Sequence, residues 1–481
     1  DERNGGSARC FALLRFAEGR FCFGGGPDTH EQASKFYFGG FLMKKHHLFF
    51  VCGLALFMVG CQASQSSKTT EPSKASQETS VSKEDQVLKR GQWEDKLYKK
   101  LSNVIKDNGK SSSKYNESAK PYAVFDWDNT TVINDIGEAT FTYQIENLDF
   151  KMTPEELDKA IRTNIPEDNF KEDHNNKEGN PVNIDKIAKD IVSDYTVLYN
   201  EYKGFKGTKS LDEVKQLDEY KDFSAKLRYL YEAIGGTFSS DISYPWVTYL
   251  FTGMTSEEVQ ALSEKSIERA LKEDLVYETW VSPESLKGEA GQVEIKFKRG
   301  VRAVKEMQNL YKTLQDNGID VYVVSASFRD VVVPFATKEK FGYNITEDHV
   351  YGMELVKNDS GVIQSEYNND YFQTQGEGKT KTIKKFIADK HGNQDPILIA
   401  GDSNGDYAML KDFEGLQMGI IFNLLRDPSK GIGLLSQTAV DTYDSKDAKY
   451  FLQGRDENKG VLVKSRETIK LGTDEAQLIK K

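Results

Sequence analysis

The sequence predicts an α/β protein: a parallel-sheet core with a large, mainly helical insertion after the first core strand. Three observations carry this. Short apolar runs at residues 122–125, 319–324, 396–400 and 418–422 alternate with amphipathic stretches, the rhythm of strands joined by helical crossovers. Between the first and second runs, residues 138–295 show helical periodicity and capping signals and no convincing period-two alternation. Several runs also end in Asp, Ser or Gly, as buried parallel strands do where their C-terminal ends open into a site.

Bulk properties narrow the function classes. The chain has 481 residues, 38% hydrophobic and 11% aromatic, enough to bury a sizeable core. Its formal net charge is −11, from 64 basic and 75 acidic residues, with no Lys/Arg-rich block interleaved with aromatics, so nucleic acid is not an expected partner. Cysteines stand only at Cys10, Cys22, Cys52 and Cys61, which excludes an internal disulfide or a thiolate nucleophile from everything that follows.

In chain order, Met43-Lys44-Lys45-His46-His47 is a basic start, followed by an apolar run to Gly60 that is short for a membrane span. Residues 43–61 therefore read as an export signal. Met58-Val59-Gly60-Cys61 resembles the lipobox of bacterial lipoproteins, which implies lipidation of Cys61 and an extracytoplasmic, lipid-anchored location on the cell membrane. An uncleaved anchoring helix is the alternative. Residues 1–42 are expected to lie upstream of a start at Met43, because a signal carries its basic region at the N-terminus. Residues 62–86 are rich in Ser, Thr, Lys, Glu and Gln, the composition of a solvated tether.

The core is expected over 87–137 and 296–481, and the helical insertion over 138–295. Trp93, Leu97, Leu101, Val104 and Ile105 follow the helical period, and Asn108-Gly109 ends that helix. Within the insertion, Thr153-Pro154-Glu155-Glu156 and Thr255-Ser256-Glu257-Glu258 are capping boxes, residues 184–199 and 211–234 are amphipathic, and Gly235-Gly236 is a stop signal. The α/β rhythm then resumes: helix 301–314, strand 319–324, helix 330–338, a hairpin at 350–356 and 361–367, helix 380–390, strand 396–400, helix 406–410 and strand 418–422.

Four segments sit at or near strand ends: Asp126-Trp127-Asp128-Asn129-Thr130, Ser325-Ala326-Ser327, Lys379, and Gly401-Asp402-Ser403-Asn404-Gly405-Asp406. Each is weak alone. In this order they resemble the haloacid dehalogenase-like hydrolase superfamily, in its phosphatase branch, over roughly residues 120–425. The resemblance implies a Rossmann-like core with the insertion as a cap over the substrate, and hydrolysis of a small phosphomonoester. It also implies roles. Asp126 would be the nucleophile that forms an aspartyl-phosphate, and Asp128 the general acid and base. Mg²⁺ would be held by the Asp126 and Asp402 carboxylates and the Asp128 carbonyl, with Asp406 in support. Ser325 and the amide of Ala326 would bind phosphate oxygens, Lys379 would offset charge, and Thr130 would brace the first loop. The second carboxylate, Asp128, favours phosphoester over carbon–halogen chemistry.

The layout from Phe297 to Ser325 and the hairpin resemble phosphoserine phosphatase-like and phosphorylcholine phosphatase-like enzymes. In the former an acid nine residues after the nucleophile holds the substrate ammonium. Asp135 stands there instead of the family's glutamate, which leaves a choline ester or a broad set of extracytoplasmic phosphoesters as alternatives. Trp127, Trp246 and Trp280 are candidates for an aromatic cage around such a cation. A catalytically inactive binding lipoprotein and a phosphotransferase are the further readings.

Overall fold

A computed structural model describes residues 87–480. The export signal, Cys61, the tether and the start at Met43 lie outside the described residues. Among those residues no helix is long and apolar enough to cross a membrane.

Six strands form the central sheet: β1 Tyr122–Phe125, β2 Asp320–Phe328, β3 Val350–Met353, β4 Leu398–Gly401, β5 Met418–Phe422 and β6 Tyr450–Gln453. Their order is β6-β5-β4-β1-β2-β3 and every pairing is parallel. The direction of winding therefore reverses between β1 and β4, which makes the crevice at their C-terminal ends the expected ligand position. Residues alternate between two apolar layers: Ala123 and Phe125 enter one and Tyr122 and Val124 the other, and β2 divides Val321 and Val323 from Tyr322 and Val324. Burial on both faces explains why these strands read as continuous apolar runs.

The helix Asp95–Asn108 braces this sheet. The Glu94 side chain caps it, accepting from the amides of Lys96 at 3.0 Å and Leu97 at 2.9 Å. The Glu94 amide in turn donates to Gln453 Oε1 of β6 at 2.9 Å. Its Leu97, Leu101, Val104 and Ile105 are buried, as their spacing predicts.

Between β1 and β2 the chain runs mainly through helices, chief among them Ile136–Asn147, Pro154–Arg162, Ile184–Glu201, Asp218–Thr237 and Ser256–Ala270. Both capping boxes are formed, at Thr153 with Glu156 and at Thr255 with Glu258. The segment also contains an antiparallel hairpin, Val276–Val281 with Glu294–Arg299, which periodicity did not predict. Its first strand buries no residue fully, so no apolar alternation marks it.

Other elements depart from expectation for identifiable reasons. The stretch 211–234 divides into Leu211–Val214 and Asp218–Thr237, and the second helix runs through Gly235 and Gly236. Gly236 is there for close packing: a Cβ would come within 2.2 Å of the His174 ring. The helix expected at 301 begins at Lys305, because Gly300 has φ +76° and Arg302–Ala303 pairs with Val132–Ile133. The expected hairpin at 350–367 is divided: residues 350–353 join the main sheet, and only Leu355–Lys357 pairs with Ile363–Tyr367. The helix expected at 380–390 starts at Glu377 and passes into a π-helical turn at Ile383–Ile387. The sixth strand and the helix Ile432–Asp441 carry no prediction from the sequence.

Candidate active site

The four sequence segments meet at the C-terminal ends of β1, β2 and β4. Asp126 follows β1, and its amide donates to the Ala400 carbonyl of β4 at 3.0 Å. Lys379, on the helix Glu377–Thr382, reaches across with its Nζ 2.6 Å from Asp126 Oδ1 and 2.7 Å from Asp406 Oδ1. All three side chains are buried. Asp406 is saturated, since its Oδ2 also accepts from the amides of Asp402 at 3.0 Å and Ser403 at 2.9 Å. Asp402 accepts from the Thr130 hydroxyl at 2.9 Å, and Arg426 lies 3.3 Å from its Oδ2. Among the described residues no group donates to Asp126 Oδ2, which leaves that oxygen uncommitted.

Asp128 is held at both oxygens, by the Ile136 amide at 2.7 Å and the Ser327 hydroxyl at 2.6 Å. Burial pushes its carboxyl up to about 6, against the lowering effect of these two bonds. Burial, with Asp406 and then Asp402 nearby, raises Asp126 well above its ordinary range, and Lys379 opposes the rise. Asp402 is raised by burial and by Asp406. Burial alone would lower Lys379; Asp126 and Asp406 outweigh it and hold the ammonium above its usual value. Crowded carboxylates that resist ionisation are what a site short of positive charge shows.

That donor set fits a hard divalent cation. Asp126, Asp402 and Asp406 each offer a carboxylate oxygen, all within 4.8 Å of one another. Oxygen ligands on a few carboxylates suit Mg²⁺. The Asp406 carboxylate accepts four hydrogen bonds against two on Asp402 and one on Asp126, so Asp126 and Asp402 are the less committed donors.

These groups line a cavity of about 340 Å³, whose wall includes Asp126, Asp128, Asp135, Ser325, Ala326, Lys379 and Asp402. Thr130 and Asp406 stand behind it, each holding Asp402. Ser325 is buried and accepts from the Ser327 amide at 3.0 Å. Asp135 both caps the helix Ile136–Asn147, accepting from the Glu138 amide at 2.9 Å, and faces the cavity. Burial, and then Asp128 and Glu138, raise its carboxyl well above the ordinary range.

The aromatic lining differs from expectation. None of the three tryptophans lines the cavity: Trp127 packs edge-on against Phe335 and Tyr343, Trp246 donates to the Ile161 carbonyl at 2.8 Å, and Trp280 packs on Phe297. The rings that do line it are Tyr231, Tyr244, Phe251 and Phe328. Glu138 and Glu232 join them, bridged by the buried Arg228 at 2.6 and 3.1 Å. Arg426, Arg228 and these two glutamates lay beyond reading from sequence, whereas Ser327 was legible as part of the Ser325-Ala326-Ser327 segment but not in its bond to Asp128.

The model of the haloacid dehalogenase-like hydrolase family matches residues 266–411. A phosphorylcholine phosphatase of Pseudomonas aeruginosa is 27% identical over 163 residues, 33% of this chain, and the match spans 44% of that enzyme's length. A phosphoserine phosphatase structure, a phospho-aspartyl intermediate analogue, is 18% identical over 63% of this chain and 87% of its own, at a TM-score of 0.29, too loose an overlap to build on. A solved protein of Anaerococcus prevotii, described as conserved and functionally unknown, is 37% identical with a TM-score of 0.75, over 80% of this chain and 98% of its own. The chain carries a haloacid dehalogenase-like hydrolase domain and belongs to one family with the Anaerococcus prevotii protein.

Proposed function

We propose that this chain is a Mg²⁺-dependent phosphomonoester hydrolase that works through an aspartyl-phosphate on Asp126. The observation that carries the reading is the buried Lys379 bridging Asp126 and Asp406 beside Asp402, with Asp128 held at both oxygens by the Ile136 amide and the Ser327 hydroxyl, all at the topological switch point of the sheet. Asp126 Oδ2, free of donors, attacks phosphorus while the bond to the leaving alcohol oxygen breaks. Asp128 gives that oxygen its proton; Ser327 and the Ile136 amide keep its carboxyl aimed. Water then attacks phosphorus, Asp128 takes its proton, and the bond to Asp126 breaks to release phosphate. Ser325, the Ala326 amide and Lys379 hold the phosphoryl oxygens. Asp126, Asp402 and the Asp128 carbonyl would hold a divalent cation, which would supply the charge neutralisation that phosphoryl transfer requires.

The leaving group in this proposal carries an ammonium, primary or quaternary. Asp135, Glu138 and Glu232 face the cavity against one buried guanidinium, Arg228, beside Tyr231 and Tyr244, an acidic and aromatic wall suited to a cation. The likeness to a phosphorylcholine phosphatase supports the same reading, and a phosphoserine-like substrate remains the second. The insertion serves as a cap that shields this wall from water. We further propose that the protein is exported and lipid-anchored through Cys61. Loss of membrane association in Cys61→Ser, and absence of peptides from residues 1–42 in the native protein, would test this.

The decisive experiment is a panel of phosphomonoesters assayed with Mg²⁺, including phosphorylcholine, phosphoethanolamine, phosphoserine and p-nitrophenyl phosphate. Turnover of ammonium-bearing esters above p-nitrophenyl phosphate, abolished by EDTA and restored by Mg²⁺, is the expected outcome. Indifference to chelation would overturn the mechanism.

A further inference from the structure

A second contact reaches the first motif from the far end of the chain. Arg455, just past β6, is fully buried, and its guanidinium forks onto a single residue of the first loop: Nη1 donates to the Asn129 carbonyl and Nη2 to Asn129 Oδ1, both at 3.0 Å. Asn129 stands between Asp128 and Thr130 and takes a left-handed backbone, φ +60°, a conformation that Asn adopts more readily than most residues with a side chain. The guanidinium is fixed from behind by buried Glu457, whose Oε1 accepts from Arg455 Nη2 at 2.8 Å. Glu457 is gripped by Lys470 at 3.0 Å, by Lys298 of the insertion hairpin at 3.1 Å and by the Leu471 amide at 3.2 Å. Burial alone would raise the Glu457 carboxyl; the three surrounding cations outweigh it and hold it ionised.

We propose that Arg455 is a positioning residue, which holds residues 126–130 in the geometry that presents Asp126 and Asp128 to the cavity. The planar fork matters because two rigidly spaced nitrogens each meet one acceptor of the same residue, a backbone carbonyl and a side-chain oxygen, in a fixed orientation that the single nitrogen of an ammonium does not impose. The loop also carries Thr130, whose hydroxyl holds Asp402, so one guanidinium orders groups from two of the four motifs. The C-terminal segment is thereby part of the catalytic scaffold, through a residue that lies outside those motifs.

The test uses the full chain with Arg455→Lys, which keeps the charge beside Glu457 and loses the fork. Amide hydrogen exchange over residues 127–134 is expected to quicken about tenfold. With p-nitrophenyl phosphate at saturating Mg²⁺, kcat is expected to fall about tenfold while KM stays within about threefold. A folded Arg455→Lys protein with parental exchange and parental kcat overturns the proposal, whatever its melting temperature, because a merely structural arginine changes stability alone. If Arg455→Lys does not fold, Glu457→Gln carries the test: exchange and kcat should move in the same direction by a smaller factor, and parental values for both overturn it. The kcat arm rests on the proposed hydrolase activity and the exchange arm does not. A parent chain that hydrolyses no phosphomonoester would therefore sink that reading while exchange still judged the brace.

Discussion

Two buried clusters in this molecule have nearly the same composition: three aspartates around one lysine. At the sheet, Asp126, Asp402 and Asp406 surround Lys379. In the insertion, Asp190, Asp194 and Asp222 surround Lys226, which lies 2.9 Å from Asp190 and 2.8 Å from Asp222. The insertion cluster is closed by backbone. Lys226 donates to the Leu286 and Lys287 carbonyls at 2.9 and 3.1 Å, and Asp190 accepts from the Glu289 and Ala290 amides at 2.8 and 2.9 Å. Among the described residues Asp194 Oδ2 and Asp222 Oδ1 meet no N–H or O–H donor, and burial, with Asp222 beside it, pushes the Asp194 carboxyl up to about 9. None of its four residues lines the cavity at the sheet. The sheet cluster opens onto that cavity and keeps one oxygen of Asp126 uncommitted. Composition makes both clusters expensive to bury; only the sheet cluster is arranged to act on something else.

The sharpest way to break the comparison is Asp126→Asn. It keeps shape but removes the attacking charge, so turnover should fall at least about a thousandfold, about 4 kcal/mol at 1.36 kcal/mol per decade. Circular dichroism should be unchanged. Appreciable turnover in a folded variant would refute the nucleophile.

Lys226→Met should do the converse. It strands the insertion carboxylates, a loss on the order of 3–5 kcal/mol for breaking a buried pair. Urea denaturation should show that loss, with kcat per folded molecule close to parental. A large kcat loss in the folded fraction would mean that the insertion cluster is not merely structural.

Proton linkage sharpens the contrast further. The folded chain holds the Asp194 proton up to about pH 9, whereas an unfolded aspartate releases it near its ordinary 3.8. The stability from this group is therefore fully present below the lower value and is lost as pH rises toward 9, by at most about 1.4 kcal/mol per pH unit for one proton. Asp194→Asn supplies an uncharged donor to Asp222, so its melting temperature should fall less than the parent's between about pH 5 and 9. Equal slopes would mean that Asp194 does not keep its proton in the folded chain.

The smallest expected effect concerns Asp135. If it faces a substrate ammonium, Asp135→Asn should raise KM for ammonium-bearing phosphoesters about tenfold, about 1.4 kcal/mol, and leave kcat/KM for p-nitrophenyl phosphate little changed. Equal effects on both substrates would reduce Asp135 to its capping bond with Glu138.

Much of this was legible because it is local. Tyr122–Phe125 and Met418–Phe422 are strands where apolar runs predict them, and Thr153 and Thr255 cap helices where their sequence says so. The hairpin Val276–Val281 with Glu294–Arg299 was not, because its first strand lies mostly at the surface and carries no apolar alternation. Gly236 misled because a glycine chosen for close approach to His174 reads like a helix stop.

By itself the sequence determined the α/β rhythm, the insertion and the four motif segments, since each rests on periodicity or on residues within a few positions of one another. Only the tertiary structure decided what surrounds them. Arg228 meets Glu138 across 90 residues and Arg455 meets Asn129 across 326. An arginine leaves the same local signature whether it is solvated or buried in a fork. Its meaning lies in which acceptors the fold brings to it, and no spacing in the chain records that.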